Sequence, residues 1–421
     1  MPAAVADYLR QCSRFTRNAR LYLVLTSITG VYWGLSGVVA NLFLLVRGFQ
    51  EGFLGTLVVA SSAAGVIAAM PAARFVNNRG RQAGLYACLI VGLLGTSAIL
   101  AGPTAVVVGA VVLIGVSNAL VGVVQSPLLT DESQPAERPH LFSVSAALMI
   151  GAGVVGAWLG GWLPGRYASL TGLPADSAPA LRFALAIGAL LFLLALLPVA
   201  WMRLGQGRAV PTRGSLLAIP RVSDTAMAWR VSAVALLWGI GAGLIAPFFN
   251  VFFNRHLGAS PGQIGSLMAW NSLMAAVGAL LSPLAVRRFG KVSTMAGAFI
   301  LSVPLTLTMV STRAIWPAAA AMWIRGALTF GVNPVFGNHT MELFPPEDRA
   351  AVSGLINISW TVGWALSAQL AGLIMESGNY ILPYYIAAGF YIILGLAYRL
   401  FFGRGSKPAI PSAKAGEPAA A

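Results

Sequence analysis

A chain of 421 residues that is 57% hydrophobic and 9% charged cannot clothe a water-facing surface, because a soluble domain carries about a quarter charged residues. Its mean hydropathy of +0.79 makes it a membrane protein, so the net charge of +15 reports where loops lie rather than a nucleic-acid partner. Two cysteines are too few for a disulfide framework, and His140, His256 and His339 stand too far apart in sequence for a local metal site. No metal and no cofactor is expected.

Residues 1–19 form a basic segment with Arg10, Arg14 and Arg17, and Arg20 follows directly. The apolar run after it is a full crossing rather than the short core of a cleavable signal. The segment is expected to lie in the cytoplasm, either against anionic membrane lipid or as a frayed basic tail. One apolar crossing needs about 20 residues, so charge-poor intervals locate the helices. Intervals 20–47 and 51–74 hold one each. Interval 81–131 is long enough for two, divided by the AGPTA turn at 101–105, and 138–166 and 182–203 complete a six-helix unit over 20–203. A polar linker, 204–229, is the one long break. Beyond it, intervals 230–255, 256–287, 291–313, 313–342, 349–376 and 376–399 give six more helices within 230–402, and 403–421 is expected to be a disordered cytoplasmic tail.

The basic residues fall on one side of this arrangement. With the N-terminus inside, Arg74, Arg79, Arg81, Arg138, the linker arginines, Arg287, Arg288, Lys291 and Arg349 are all cytoplasmic. Outside stand Arg47, Arg166, Arg182, Arg255 and Arg313. That asymmetry predicts both termini in the cytoplasm.

The two six-helix units also match each other. GVYWGLSGVVAN (30–41) corresponds to GIGAGLIAPFFN (239–250), ending in Asn41 and Asn250. Gly52 and Gly55 correspond to Gly262 and Gly265, Gly80 to Gly290, and DESQPAER (131–138) to ELFPPEDR (342–349). Four matches in register, each at the same topological place, predict an all-α membrane protein of 12 transmembrane helices. It would comprise two six-helix bundles related by pseudo-two-fold symmetry, an architecture that serves alternating access.

Over about residues 20–402 this pattern resembles the major facilitator superfamily. The family's loop signature between helices two and three is Gly-x-x-x-Asp-Arg-x-Gly-Arg-Arg. AARFVNNRGRQ keeps Gly80 and Arg81 but has Ala73, Asn77 and Asn78 at the first Gly, the Asp and the Arg. The second copy, PLAVRRFGK, keeps Arg288, Gly290 and Lys291, with Arg287 where the acid would sit. The resemblance implies cytoplasmic charge clusters, Arg81/Asp131/Arg138 and Arg288/Glu342/Arg349, that either latch the halves or only set topology. GAGVVGAWLGGW (151–162) resembles the antiporter signature in Gly156, Gly160 and Gly161, with Ala152 and Ala157 at its missing Gly and Pro. Close helix packing is the other reading of these small residues. The branch most resembled is drug:proton antiport.

In the family, helices one, four, seven and ten line the cavity. The resemblance therefore implies a substrate site among Tyr32, Asn41, Ser117, Asn118, Gln125, Asn250, Thr329 and Asn333, with Asn271, Asn357, Trp360 and Gln369 added from neighbouring helices. Arg325 stands about ten residues into the tenth interval. A charge at that depth defaults to a functional role, and it is expected to face a water-filled cavity and bind substrate or tune a proton site, a structural salt bridge being the other reading. No carboxylate lies at a helix centre; Glu51, Asp131, Glu342 and Glu376 sit at ends, so protons are a possible partner without an evident binding residue. No nucleophile–acid–base cluster points to an enzyme. The function expected is efflux of an amphipathic small molecule by a monomeric secondary transporter of a bacterial inner membrane. The alternatives are an organic-anion or sugar carrier using Arg325, or a non-transporting receptor.

Overall fold

The computed structural model describes residues 14–135, 137–204 and 222–403, and among these the secondary structure is helical throughout. The expectations for residues 1–13, for 205–221 of the linker and for 404–421 of the tail lie outside the described residues.

The first half contains α1 (Arg17–Val46), α2 (Glu51–Arg79), α3 (Arg81–Ala101), α4 (Thr104–Asp131), α5 (Arg138–Thr171) and α6 (Ala178–Trp201). Local chemistry sets several boundaries. Thr16 caps α1 by accepting a hydrogen bond from the Ala19 amide at 3.1 Å. α2 runs past the expected Arg74 and stops at Gly80, whose φ of 87° is open to glycine and costly for other residues. Gly290 ends α8 in the same way with φ 78°, so the equivalent loop in each half turns on the equivalent residue.

The second half begins with α7 (Thr225–Gly243), capped by Asp224. Pro247 then interrupts the seventh crossing, which continues as a 3-10 turn, one α-turn and a π-turn to His256. Next come α8 (Pro261–Phe289), started by a capping box of Ser260 and Gln263, and α9 (Lys291–Ser311). The tenth crossing differs from expectation. It is two helices, α10 (Ile315–Thr329) and α11 (Asn333–Leu343), parted by a turn at 330–332. Pro334 at the start of α11 has no amide proton to carry the helix through. Eleven helices among the described residues are therefore individually long and apolar enough to cross a membrane. α12 (Arg349–Glu376) and α13 (Leu382–Phe402) complete the fold.

Packing partners repeat between halves. In the first, α1 packs on α5 and α6, α4 on α2 and α3, and α3 on α6. In the second, α7 packs on α12 and α13, α10 on α8 and α9, and α9 on α13. The halves themselves meet along α5–α8 and α2–α12. Lipid is as apolar as leucine, so close backbone approach is what holds such helices together. A Cβ at Gly161 would lie 2.6 Å from the Pro261 carbonyl oxygen, and one at Gly265 would lie 2.6 Å from that of Ala157. Within the first half, a Cβ at Gly156 would lie 2.0 Å from the Val31 carbonyl oxygen. The glycines of the antiporter-like stretch thus seat α5 on α1 and α8.

Candidate functional site

The face of the bundle that carries Arg17 and Phe402 is here the terminal face. On the opposite face the two halves are bonded together. Asn41 of α1 donates to the Pro247 carbonyl at 2.7 Å and to Asn250 Oδ1 at 3.2 Å, and Asn250 Nδ2 donates to the carbonyls of Gly37 and Val38, each at 3.1 Å. The two asparagines matched by the repeat are 209 residues apart and meet each other across the interface. Nearby, Tyr380 donates to Glu51 at 2.9 Å, the Gly52 amide donates to Glu376 at 3.2 Å, and Gln369 donates to the Gly52 carbonyl at 3.3 Å. Burial and then the Glu51 carboxylate push the Tyr380 phenol up to about 12.

From mid-bundle toward the terminal face the halves separate and leave two cavities. The larger, about 1200 Å³, lies between α2 and α4 on one side and α12 on the other. Ser61, Ser62, Asn118, Asn357 and Thr361 supply its polar lining, and Trp360 and Trp364 its aromatic lining. The second, about 570 Å³, lies between α1 and α5 and the facing α8 and α10–α11 turn, with Trp33, Asn271 and Asn333 in its wall. Neither has an ionisable side chain in its lining. Amides, hydroxyls and indoles among small and aliphatic residues can hold an uncharged amphipathic molecule, since a buried charge would find no partner there.

Of the expected substrate residues, Asn118, Asn357 and Trp360 line the larger cavity and Asn271 and Asn333 the second. Asn41, Asn250 and Gln369 are instead committed to bonds between the halves. Thr329 is enclosed and donates to the Arg325 carbonyl of its own helix at 2.9 Å. Tyr32 is buried within the first half and hydrogen-bonds Thr96 at 2.9 Å, beside Ser117 and Gln125.

Arg325 corrects the expectation of a water-filled setting. Its side chain is 0% exposed. One guanidinium nitrogen donates to the Tyr391 hydroxyl at 2.8 Å, and the charge lies over the rings of Phe249 and Tyr391, 5.7 and 5.2 Å from their centroids. Nε and Nη1 have no hydrogen-bond partner among the described residues. The residue sits inside the second half because Tyr391, 66 residues later, supplies an aromatic face and an acceptor that sequence distance conceals.

The charge clusters on the terminal face are also rearranged. Asp131 pairs with Arg81 as expected, but Glu342 pairs with Lys291 rather than Arg288. Arg288 lies over the Phe289 ring at 5.5 Å, Arg349 donates to the Phe344 carbonyl, and Arg138 donates to the Thr130 carbonyl. The repeat carried the missed signal: Lys291 follows Gly290 as Arg81 follows Gly80. Both ion pairs stay within one half. Asp348, beyond the membrane segments, accepts from the Ser223 amide at 2.9 Å and from its hydroxyl. These bonds hold the Asp348 carboxyl below the usual carboxylate range.

The helix order, the paired halves and the cavities between them define a multi-pass, all-helical membrane fold among the described residues. Residues 231–421 match the family model of the Major Facilitator Superfamily. The chain is similar to the uncharacterized MFS-type transporter YhhS of Salmonella paratyphi C (strain RKS4594), 26% identical over 204 residues, which is 48% of this chain and 47% of that protein. It therefore spans about half the length of the curated relatives it matches. Among solved structures, a bacterial homologue of the human lysosomal transporter Spinster, inward-facing and occupied, superposes with TM-score 0.72 at 16% identity, covering 94% of this chain and 98% of that one. The nucleoside transporter NupG gives TM-score 0.72 at 15% identity over 93% and 100%. A bacterial homologue of the iron transporter ferroportin, inward-facing, gives 0.73 at 13% over 92% and 99%. These likenesses are of fold.

Proposed function

We propose that this chain carries an uncharged amphipathic small molecule across a bacterial inner membrane by alternating access. In this reading the terminal face is cytoplasmic, as the basic loops favour, and the described state is open inward. The two halves act as rocking units. They meet on the outer side through Asn41, Asn250, Glu51 and Glu376 and part on the inner side to expose the cavity. The direction proposed is efflux. The single observation that carries the proposal is the cavity pair between the halves, roomy and polar yet lined without an ionisable side chain. The organic-anion alternative has less support, because Arg325 is enclosed away from both cavities.

The test is counterflow in proteoliposomes with matched neutral, anionic and cationic amphiphiles. Neutral compounds should exchange and charged ones should not. Asn118→Ala and Asn357→Ala should each weaken exchange about 2- to 10-fold, the range of one neutral hydrogen bond. Exchange confined to the charged compounds, or unaffected by both variants, would refute the reading.

A further inference from the structure

The first half contains a third, enclosed chamber of about 110 Å³, bounded by α1, α3, α4, α5 and α6. It is a side chamber of the central space: Asn118 lines both it and the larger cavity, and Trp33 and Met149 line both it and the second. Much of its polar wall is already committed. Tyr32 bonds Thr96, and the Ser117 hydroxyl donates to the Cys88 carbonyl at 2.9 Å. The side-chain amides of Asn118, exposed where the chamber meets the larger cavity, and of Gln125, half-buried, have no hydrogen-bond partner among the described residues, and the wall beside them includes Tyr22, Thr26, Thr29, Tyr32, Ile114 and Phe192.

The corresponding position in the second half carries a large, fully buried side chain. There Arg325 stands at the repeat position of Ile114, and its guanidinium packs on Tyr391. The Tyr391 ring closes against Gly241, 3.3 Å from an added Cβ, whereas in the first half it is Tyr32, the repeat position of Gly241, that packs on Gly188 at 3.5 Å. The tyrosine comes from the opposite helix and the arginine plugs what remains. The first half has isoleucine rather than arginine at this position, and the free amides of its chamber mark it for a ligand.

We propose that this chamber is a subsite for the uncharged, hydrogen-bonding end of the cargo: a short chain bearing a hydroxyl or carboxamide, held by Asn118 and Gln125. The size sets the limit. At about 110 Å³ the chamber falls short of the roughly 150 Å³ that accommodates benzene but exceeds the about 30 Å³ of one water, so it takes a short chain rather than a ring and leaves the rest of the cargo in the central cavity. The proposal deepens the transport reading and rests on it for the identity of the cargo.

Equilibrium dialysis of the full-length protein in detergent tests it directly, with acetamide as probe and acetate and ethylammonium as charged analogues. Wild type should bind acetamide at least ten times more tightly than either ion. Ile114→Phe should abolish that binding by filling the space, and Gln125→Leu, of similar volume, should weaken it several-fold. Leu400→Phe on the lipid face should leave it unchanged. Absence of acetamide binding to wild type, or binding by folded Ile114→Phe and Gln125→Leu proteins equal to that of wild type, overturns the subsite. Counterflow through the central cavity is read separately, so a failed subsite and a failed transport reading are distinguishable.

Discussion

A guanidinium at bilayer depth is costly unless its surroundings replace water. Arg325 shows how far aromatic faces and one hydroxyl can substitute for a carboxylate. Its depth was legible in the sequence; its cage was not, because the residues that form it come from the seventh crossing and α13. If the residue is a plug, its volume matters more than its charge. Arg325→Ala should cost about 3 kcal/mol, as for other large-to-small core changes, seen as a lowered melting temperature in detergent. Arg325→Met, which fills the space without a charge, should match or exceed wild type, as replacements of buried charges by apolar side chains often do. A Met variant as damaged as the Ala variant would show that the charge itself is required. Asn41 and Asn250 carry a parallel lesson: the repeat marks them as a matched pair, yet only the fold shows that they bond each other.

At the scale of elements, the apolar intervals located the crossings well because hydrocarbon thickness fixes their length. The tenth was legible as an interval and not as two helices, although Gly331 and Pro334 are the residues that punctuate such a run. Nor did the sequence reveal how the second half is anchored at its start. Ser223 ties the entry of α7 to Asp348 at the start of α12. Because these bonds lower the folded-state pKa of Asp348, their stabilisation is present above the unfolded carboxylate value, about 3.9, and disappears as pH falls through the lower folded value. Asp348→Asn should therefore reduce the melting temperature at pH 7 and bring variant and wild type together at pH values below the carboxylate range. A penalty that does not shrink on acidification would exclude the ionised carboxylate as its source.

Across the whole molecule, the same helix pairings occur within residues 17–201 and within residues 225–402. What the sequence could not convey is which face is shut, since closure depends on residues hundreds of positions apart, such as Glu51 and Tyr380, separated by 329. The central claim is that the Asn41–Asn250 contact holds one face closed while the terminal face stands open, and that the halves rock about the cavity between them. The most direct measurement is double electron–electron resonance in a Cys12→Ser, Cys88→Ser background. One spin-label pair would span the halves on the opposite face at Ala175 and Leu257; the other would span them on the terminal face at Gln134 and Glu347. With Asn41→Ala and Asn250→Ala combined, the account predicts a new population in which the Ala175–Leu257 distance lengthens as the Gln134–Glu347 distance shortens. Distance distributions unchanged on both faces by the double substitution would contradict it.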